Sequence, residues 1–147
     1  MEYATGLKLM LEDGMNSLWR TVKAMPEDKI DWRPEPTART TRQLLEELVD
    51  TMPFSIEFIK TQKMPKYEES SGKKRSMNEM EKEYRQHMED FLKAVKNFPE
   101  ADMQKENDLP WGKMTFFDLI TYPYWNLMYH WGQISYIQTM YGDKEMY

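Results

Sequence analysis

The chain has no cysteine among its 147 residues. That excludes disulfides, zinc–thiolate and iron–sulfur centres and any cysteine nucleophile, and it fits a reducing compartment. A basic excess is also missing: 20 lysines and arginines face 25 aspartates and glutamates, for a net charge of −5. Binding nucleic acid takes cations that displace counterions, so no nucleic-acid partner is expected. The one basic cluster, KKR at 73–75 beside EES, reads as a solvated loop. No apolar run approaches the ~20 residues that a membrane-spanning helix takes. The opening stretch MEYATGLKLMLEDGM has neither the basic start nor the apolar run of a signal peptide. A cytoplasmic protein with no membrane partner is therefore expected. There is no phosphate-cradling glycine loop, no dinucleotide fingerprint and no Ser-His-Asp arrangement. Histidine is scarce, with only His87 and His130.

What is present points to helices. The length suits one domain over residues 1–147, able to bury roughly 68–70% of its unfolded surface without disulfides. Fourteen methionines and 14% aromatics fill an irregular core, or line an adaptable apolar pocket. Leu7, Leu11, Met15, Leu18, Val22 and Met25 share one helical face, and Pro26 ends that helix. The proline-rich stretch PEDKIDWRPEPTARTT is then a connection rather than a helix, with Trp32 anchoring it. Thr40 and Gln43 have capping-box spacing ahead of a stripe from Leu44 to Ile59, in which Pro53 predicts a kink or a break. After a polar loop at 64–75, Ser76 and Glu79 repeat the box before Met77, Met80, Tyr84, Met88, Phe91 and Val95. His87 borders that stripe and reads as a boundary or surface residue. Residues 97–114 are irregular, with PWG as a tight turn that allows short extended arms. Thr115 and Asp118 cap a last helix, interrupted by Pro123, that runs to about Tyr141, with Gly142 as its C-terminal cap. Four helices without a convincing strand make an all-α four-helix bundle. Two long connections allow a crossover or a functional loop.

The last helix carries a polar line. Asn126 and His130 are four residues apart and Gln133 three further on, so they share a face. The helix has few other polar residues, which places this line inward. On the second helix Glu46 and Glu47 sit between Leu45 and Leu48. If Glu47 points inward it reaches His130, fixes the imidazole tautomer and favours its protonated form. The same cluster also reads as a satisfied structural network with no further role.

The segment LPWGKMTFFDLITYPYWNLMYHWGQISYIQTMYG resembles the last helix of the DinB/YfiT-like superfamily, with its Pro-x-Gly turn, His-x-Gly-Gln, Tyr and closing Gly. WRPEPTARTTRQLLEELVD is similar to that superfamily's Trp-x-Pro loop leading into a helix. The resemblance implies a four-helix bundle, often dimeric. In many members it implies a divalent-metal site of three histidines, one from the second helix and two, four apart, from the last. Some relatives are thiol-dependent transferases or isomerases acting on small molecules. The ligand positions fall here on Glu47, Asn126 and His130, and two histidines on separate helices cannot rebuild the three-histidine set. Glu47 and His130 are sound metal ligands and Asn126 is a poor third, since zinc and nickel prefer imidazole and thiolate. At most a weakly bound zinc or nickel ion is expected.

Three functions remain open. The first is a small-molecule transferase or hydrolase-like enzyme. His130 would be its general base or metal ligand, Glu47 the orienter or co-ligand, and Asn126 a substrate hydrogen-bond donor. The second is a non-catalytic small-molecule-binding or stress-response module with a degenerate metal site. The third is a purely structural dimer. A homodimer through helix faces is expected in any case, because exposed methionines and aromatics exceed what one bundle buries.

Overall fold

Three hydroxyl side chains mark where three of the long helices begin. Thr40 accepts from the Gln43 backbone N–H, Ser76 from Glu79 and Thr115 from Asp118, and each third residue's side chain reaches back to the cap's own N–H. Each box satisfies donors that a helix start leaves unpaired. The protein, a computed structural model, is described over residues 2–66 and 74–147. In chain order its elements are α1 (Glu2–Ala24), α2 (Glu27–Ile30), α3 (Thr41–Thr61), α4 (Met77–Lys96), a 3-10 turn (Glu100–Asp102), β1 (Glu106–Leu109), β2 (Gly112–Thr115) and α5 (Phe116–Met140). The four long helices form the expected all-α bundle.

The helices pack in a ring. α3 lies against α4 and α5, and α1 against the same two, so α1 and α3 stand at opposite corners, as do α4 and α5. The chain therefore makes a diagonal step between α1 and α3 and another between α4 and α5, and these are the long connections. In the first, Pro26 starts the single turn α2 with Glu27 and Asp28 in that turn, which corrects the reading of a helix-free connection. Proline has no N–H to leave unpaired at a helix start, and acidic residues suit its positive end. Trp32 anchors the rest, edge-on to Tyr141 at 6.2 Å with the Lys29 ammonium 5.3 Å from its ring centre. In the second diagonal step, β1 and β2 form an antiparallel hairpin pairing Leu109 with Gly112 across Pro110–Trp111. Gly112 takes φ +129°, a conformation open to glycine.

Two readings of residues near α3 change. The break considered at Pro53 does not occur, and α3 runs through it as α5 runs through Pro123. Hydroxyls supply extra donors to nearby carbonyls, Thr51 to Leu48 at 3.3 Å and Thr121 to Phe117 at 3.0 Å. The KKR cluster is not uniformly solvated. Arg75 is buried, with Nη2 2.7 Å from Asp50 on α3 and Nη1 3.4 Å from Glu83 on α4. It ties the start of α4 to α3, because a guanidinium drawn out of water needs carboxylate partners. Lys73 and most of the polar loop before it lie outside the described residues.

Methionine goes mainly to the core: Met15, Met52, Met80 and Met88 pack with Leu11, Leu18, Leu45, Phe91, Leu127 and Ile134. α1 and α5 approach closely at Gly14, where an added Cβ would stand 3.0 Å from Leu127 Cδ2. Among the described residues no helix is long and apolar enough to cross a membrane.

Candidate functional site

The seam between α3 and α5 brings two polar rungs together. Glu47 and Thr51 are one turn apart on α3, and Asn126 and His130 one turn apart on α5. His130 Nε2 lies 3.2 Å from Glu47 Oε1, and Asn126 Nδ2 donates to Thr51 Oγ1 at 3.3 Å. Helical spacing on both sides makes the rungs coincide. The inward placement of Asn126 and His130 holds, since both are buried and His130 is only 2% exposed. His130 Nδ1 is 2.8 Å from Gln133 Oε1, the next residue of the same polar line. The Tyr129 ring stands edge-on to the imidazole at 5.3 Å. His87 sits on α4, partly buried, and takes no part in this cluster.

Exposure reverses the expected order of the pair. The Glu47 side chain is 35% exposed while His130 is sealed behind it. Glu47 is therefore the group a solute would meet, and His130 backs it. The second Glu47 oxygen is held by the guanidinium of Arg39. Arg39 lies just before the Thr40 cap, outside any helical repeat with Glu47.

The protonated imidazole expected from a carboxylate neighbour is not what the environment favours. The pKa of His130 is lowered from 6.5, first by burial and then by the Arg39 charge, while the Gln133 hydrogen bond opposes the shift. A buried cationic ring loses hydration, and the nearby guanidinium disfavours a second positive charge. A neutral ring is satisfied if Nε2–H donates to Glu47 and the Gln133 amide turns its NH₂ toward Nδ1.

The donor set was tested against the zinc or nickel ion that the resemblance implies. Two ligands of a tetrahedral ion with bonds of ~2.0–2.1 Å stand about 3.3 Å apart, and the His130–Glu47 separation would suit that. The remainder does not fit. Asn126 offers only a neutral amide, a poor ligand for zinc or nickel, and Arg39 already brings a cation to Glu47. Among the described residues, no three His, Cys, Asp or Glu side chains come together as a metal site would have them. The residues do not fit a resident zinc or nickel ion.

Two depressions, of about 230 Å³ between the ends of α3 and α4 and about 430 Å³ on α4, share no residue with the cluster. The sequence reading missed Arg39 and Thr51. Thr51 could have been found, since it sits four residues after Glu47 on the same face.

Comparison with known proteins agrees with this architecture. The crystal structure of a DinB-like protein from Bacillus subtilis, YjoA, superposes with a TM-score of 0.68 over 97% of this chain and 96% of that one, at 14% identity. That likeness bears on the fold alone. No curated protein matches the chain. The family profile described as the DinB superfamily matches residues 10–134, most of the chain including both polar rungs, and the protein belongs to that superfamily.

Proposed function

We propose that the protein acts on a small molecule at the Glu47 face of the α3/α5 seam, as a transferase- or hydrolase-like enzyme working by proton transfer. The observation that carries this is the half-exposed Glu47 carboxylate, held between buried His130 at 3.2 Å and the Arg39 guanidinium. A carboxylate in contact with solvent can accept a proton from a nucleophile such as water or a thiol. In this reading His130 and Gln133 orient Glu47 from behind. Asn126 donates to Thr51 rather than, as expected of it, to a substrate, and leaves its carbonyl oxygen as an acceptor for a substrate donor.

A specific observation favours a second reading, a non-catalytic small-molecule-binding module. Both His130 nitrogens and both Glu47 oxygens already have partners inside the protein, which is how a satisfied structural network looks. Two chromogenic assays separate the readings: hydrolysis of p-nitrophenyl acetate, and transfer of cysteine to 1-chloro-2,4-dinitrobenzene with loss of chloride. The enzymatic reading expects at least one rate above background that falls more than ten-fold in Glu47→Gln. Equal rates for wild type and variant in both assays would leave the binding module.

We further propose that the protein works as a cytoplasmic homodimer through the outward face of α5. Tyr122, Trp125, Tyr129, Tyr136 and Met140 form an exposed stripe, with Trp125 72% and Tyr136 67% exposed. α5 has one acidic residue, Asp118, and no lysine or arginine. An uncharged aromatic face suits a second copy better than a charged partner. Aromatic side chains carry ~150–250 Å² each, so the four, exposed by 42% at Tyr122 to 72% at Trp125, offer roughly 500 Å² of the ~800 Å² per partner usual for stable interfaces. Exposed Gly132 lies within the stripe with open space around it, where a partner helix can approach closely.

A further inference from the structure

We propose that Arg39 is the site's own cation, holding Glu47 against His130 as a divalent ion would and keeping such ions out. Three observations converge on it. The first is charge. Among the described residues Glu47 is the only carboxylate bonded to His130, and the guanidinium on its second oxygen balances it. A divalent ion entering beside a neutral imidazole would leave an excess of positive charge in a partly buried seam. Arginine cannot relieve this by losing a proton.

The second observation is placement. Arg39 is 57% exposed, yet the residues on either side of it are pinned. The Ala38 carbonyl accepts from the Arg33 guanidinium, and the Thr40 backbone N–H donates to Gln43 Oε1 at 3.0 Å. Arg33 Nη2 also reaches Gln43 Oε1 at 3.4 Å, so the loop is fastened to the first turn of α3 on both sides of Arg39. Its side chain is aimed by the fold rather than left to wander. The third is ligand chemistry: the rung beside His130 carries Asn126, whose neutral amide is a poor ligand for zinc or nickel. Arg39 is thus a positioning residue, acting through Glu47.

This inference concerns the site of the proposed function, but its test reads cation binding rather than turnover, so either can fail alone. Tag-free wild type, Arg39→Ala, Arg39→Lys, Arg39→Ala/Glu47→Gln and Glu47→Gln are titrated calorimetrically with zinc and nickel chlorides, after circular dichroism confirms that each is folded. Arg39→Ala should bind one ion at least ten-fold more tightly than wild type. The gain should vanish in the double variant, and Arg39→Lys should bind as weakly as wild type. If Arg39→Ala binds no better than wild type, the guanidinium does not exclude cations and the proposal is overturned. It is equally overturned if wild type already binds one ion as tightly as Arg39→Ala and Glu47→Gln abolishes that binding. Should Arg39→Ala fail to fold, Arg39→Gln replaces it under the same criteria.

Discussion

Replacing His130 by alanine tests how the cluster is balanced, and the structure sets the size of the effect. The variant removes the bond to Glu47 at 3.2 Å, the bond to Gln133 at 2.8 Å and a ring that is 2% exposed. Stripping the partner from a fully buried charge costs about 3–5 kcal/mol. That figure does not apply here, because Glu47 keeps Arg39 and part of its surface stays in water. The Glu47 bond is therefore placed at about 1 kcal/mol, below the ~1.5–3 kcal/mol of charge-assisted bonds because of that exposure, and the part-buried Gln133 bond at about 0.5 kcal/mol. The lost ring packing adds about 1 kcal/mol. Urea denaturation followed at 222 nm should show a loss of about 2–3 kcal/mol with an unchanged m-value. A second arm uses pH. The folded-state pKa of His130 lies below its ordinary 6.5. Below that ordinary value the unfolded chain takes up a proton that the folded ring refuses, so wild-type stability falls with acidification until the depressed folded pKa is passed. His130→Ala should lack this slope. A loss under 0.5 kcal/mol, or the same pH slope in both proteins, would refute the reasoning. A loss above 4 kcal/mol would show that Arg39 does not compensate Glu47.

Because the chain has no cysteine, Gly132→Cys introduces a single thiol on the α5 stripe. Mild oxidation should crosslink it to a disulfide dimer in high yield if a twofold axis passes there, while Glu89→Cys on α4 should stay monomeric on a non-reducing gel; equal yields would sink the α5 interface. Arg75→Met should cost about 1–3 kcal/mol in urea, since it leaves Asp50 and Glu83 without their guanidinium, and a neutral result would mean that the pair only breaks even. Thr115→Ala should lose about 1 kcal/mol by removing the α5 cap, with Thr115→Ser recovering most of it.

The fold was legible wherever a local rule governs the chain. The boxes at Thr40, Ser76 and Thr115 are decided within four residues, and the structure reproduces each one. The stripes of α1, α3 and α4 face the core because their polar residues can reach water. Misreadings arose where distant partners decide. Arg75 looks like loop solvent in KKR, and only the folded packing of α3 against α4 brings Asp50 and Glu83 to it. A break near Pro53 is a sound local inference, yet α3 packs against both α4 and α5 and stays continuous through the proline.

The site divides along the same line. Asn126, His130 and Gln133 could be aligned from spacing alone, whereas the apolar stripe left Glu46 and Glu47 open and the family resemblance singled out Glu47. The protonation state could not be read that way, because it depends first on how deeply packing buries the ring and only then on Gln133 and Arg39. Arg39 precedes Glu47 by eight residues but lies outside α3, so the turn at Thr40 decides where its side chain goes. Beside a buried ring, with that guanidinium on its second oxygen, the carboxylate does not carry the shift towards the imidazolium. The negative charge that would have stabilised the ring is shared with a cation, and burial sets the direction of the shift. A glutamate at a position that resembles a histidine ligand thus changes the electrostatics of the whole seam. It can be accommodated in a partly buried place because an arginine from the preceding loop arrives with it.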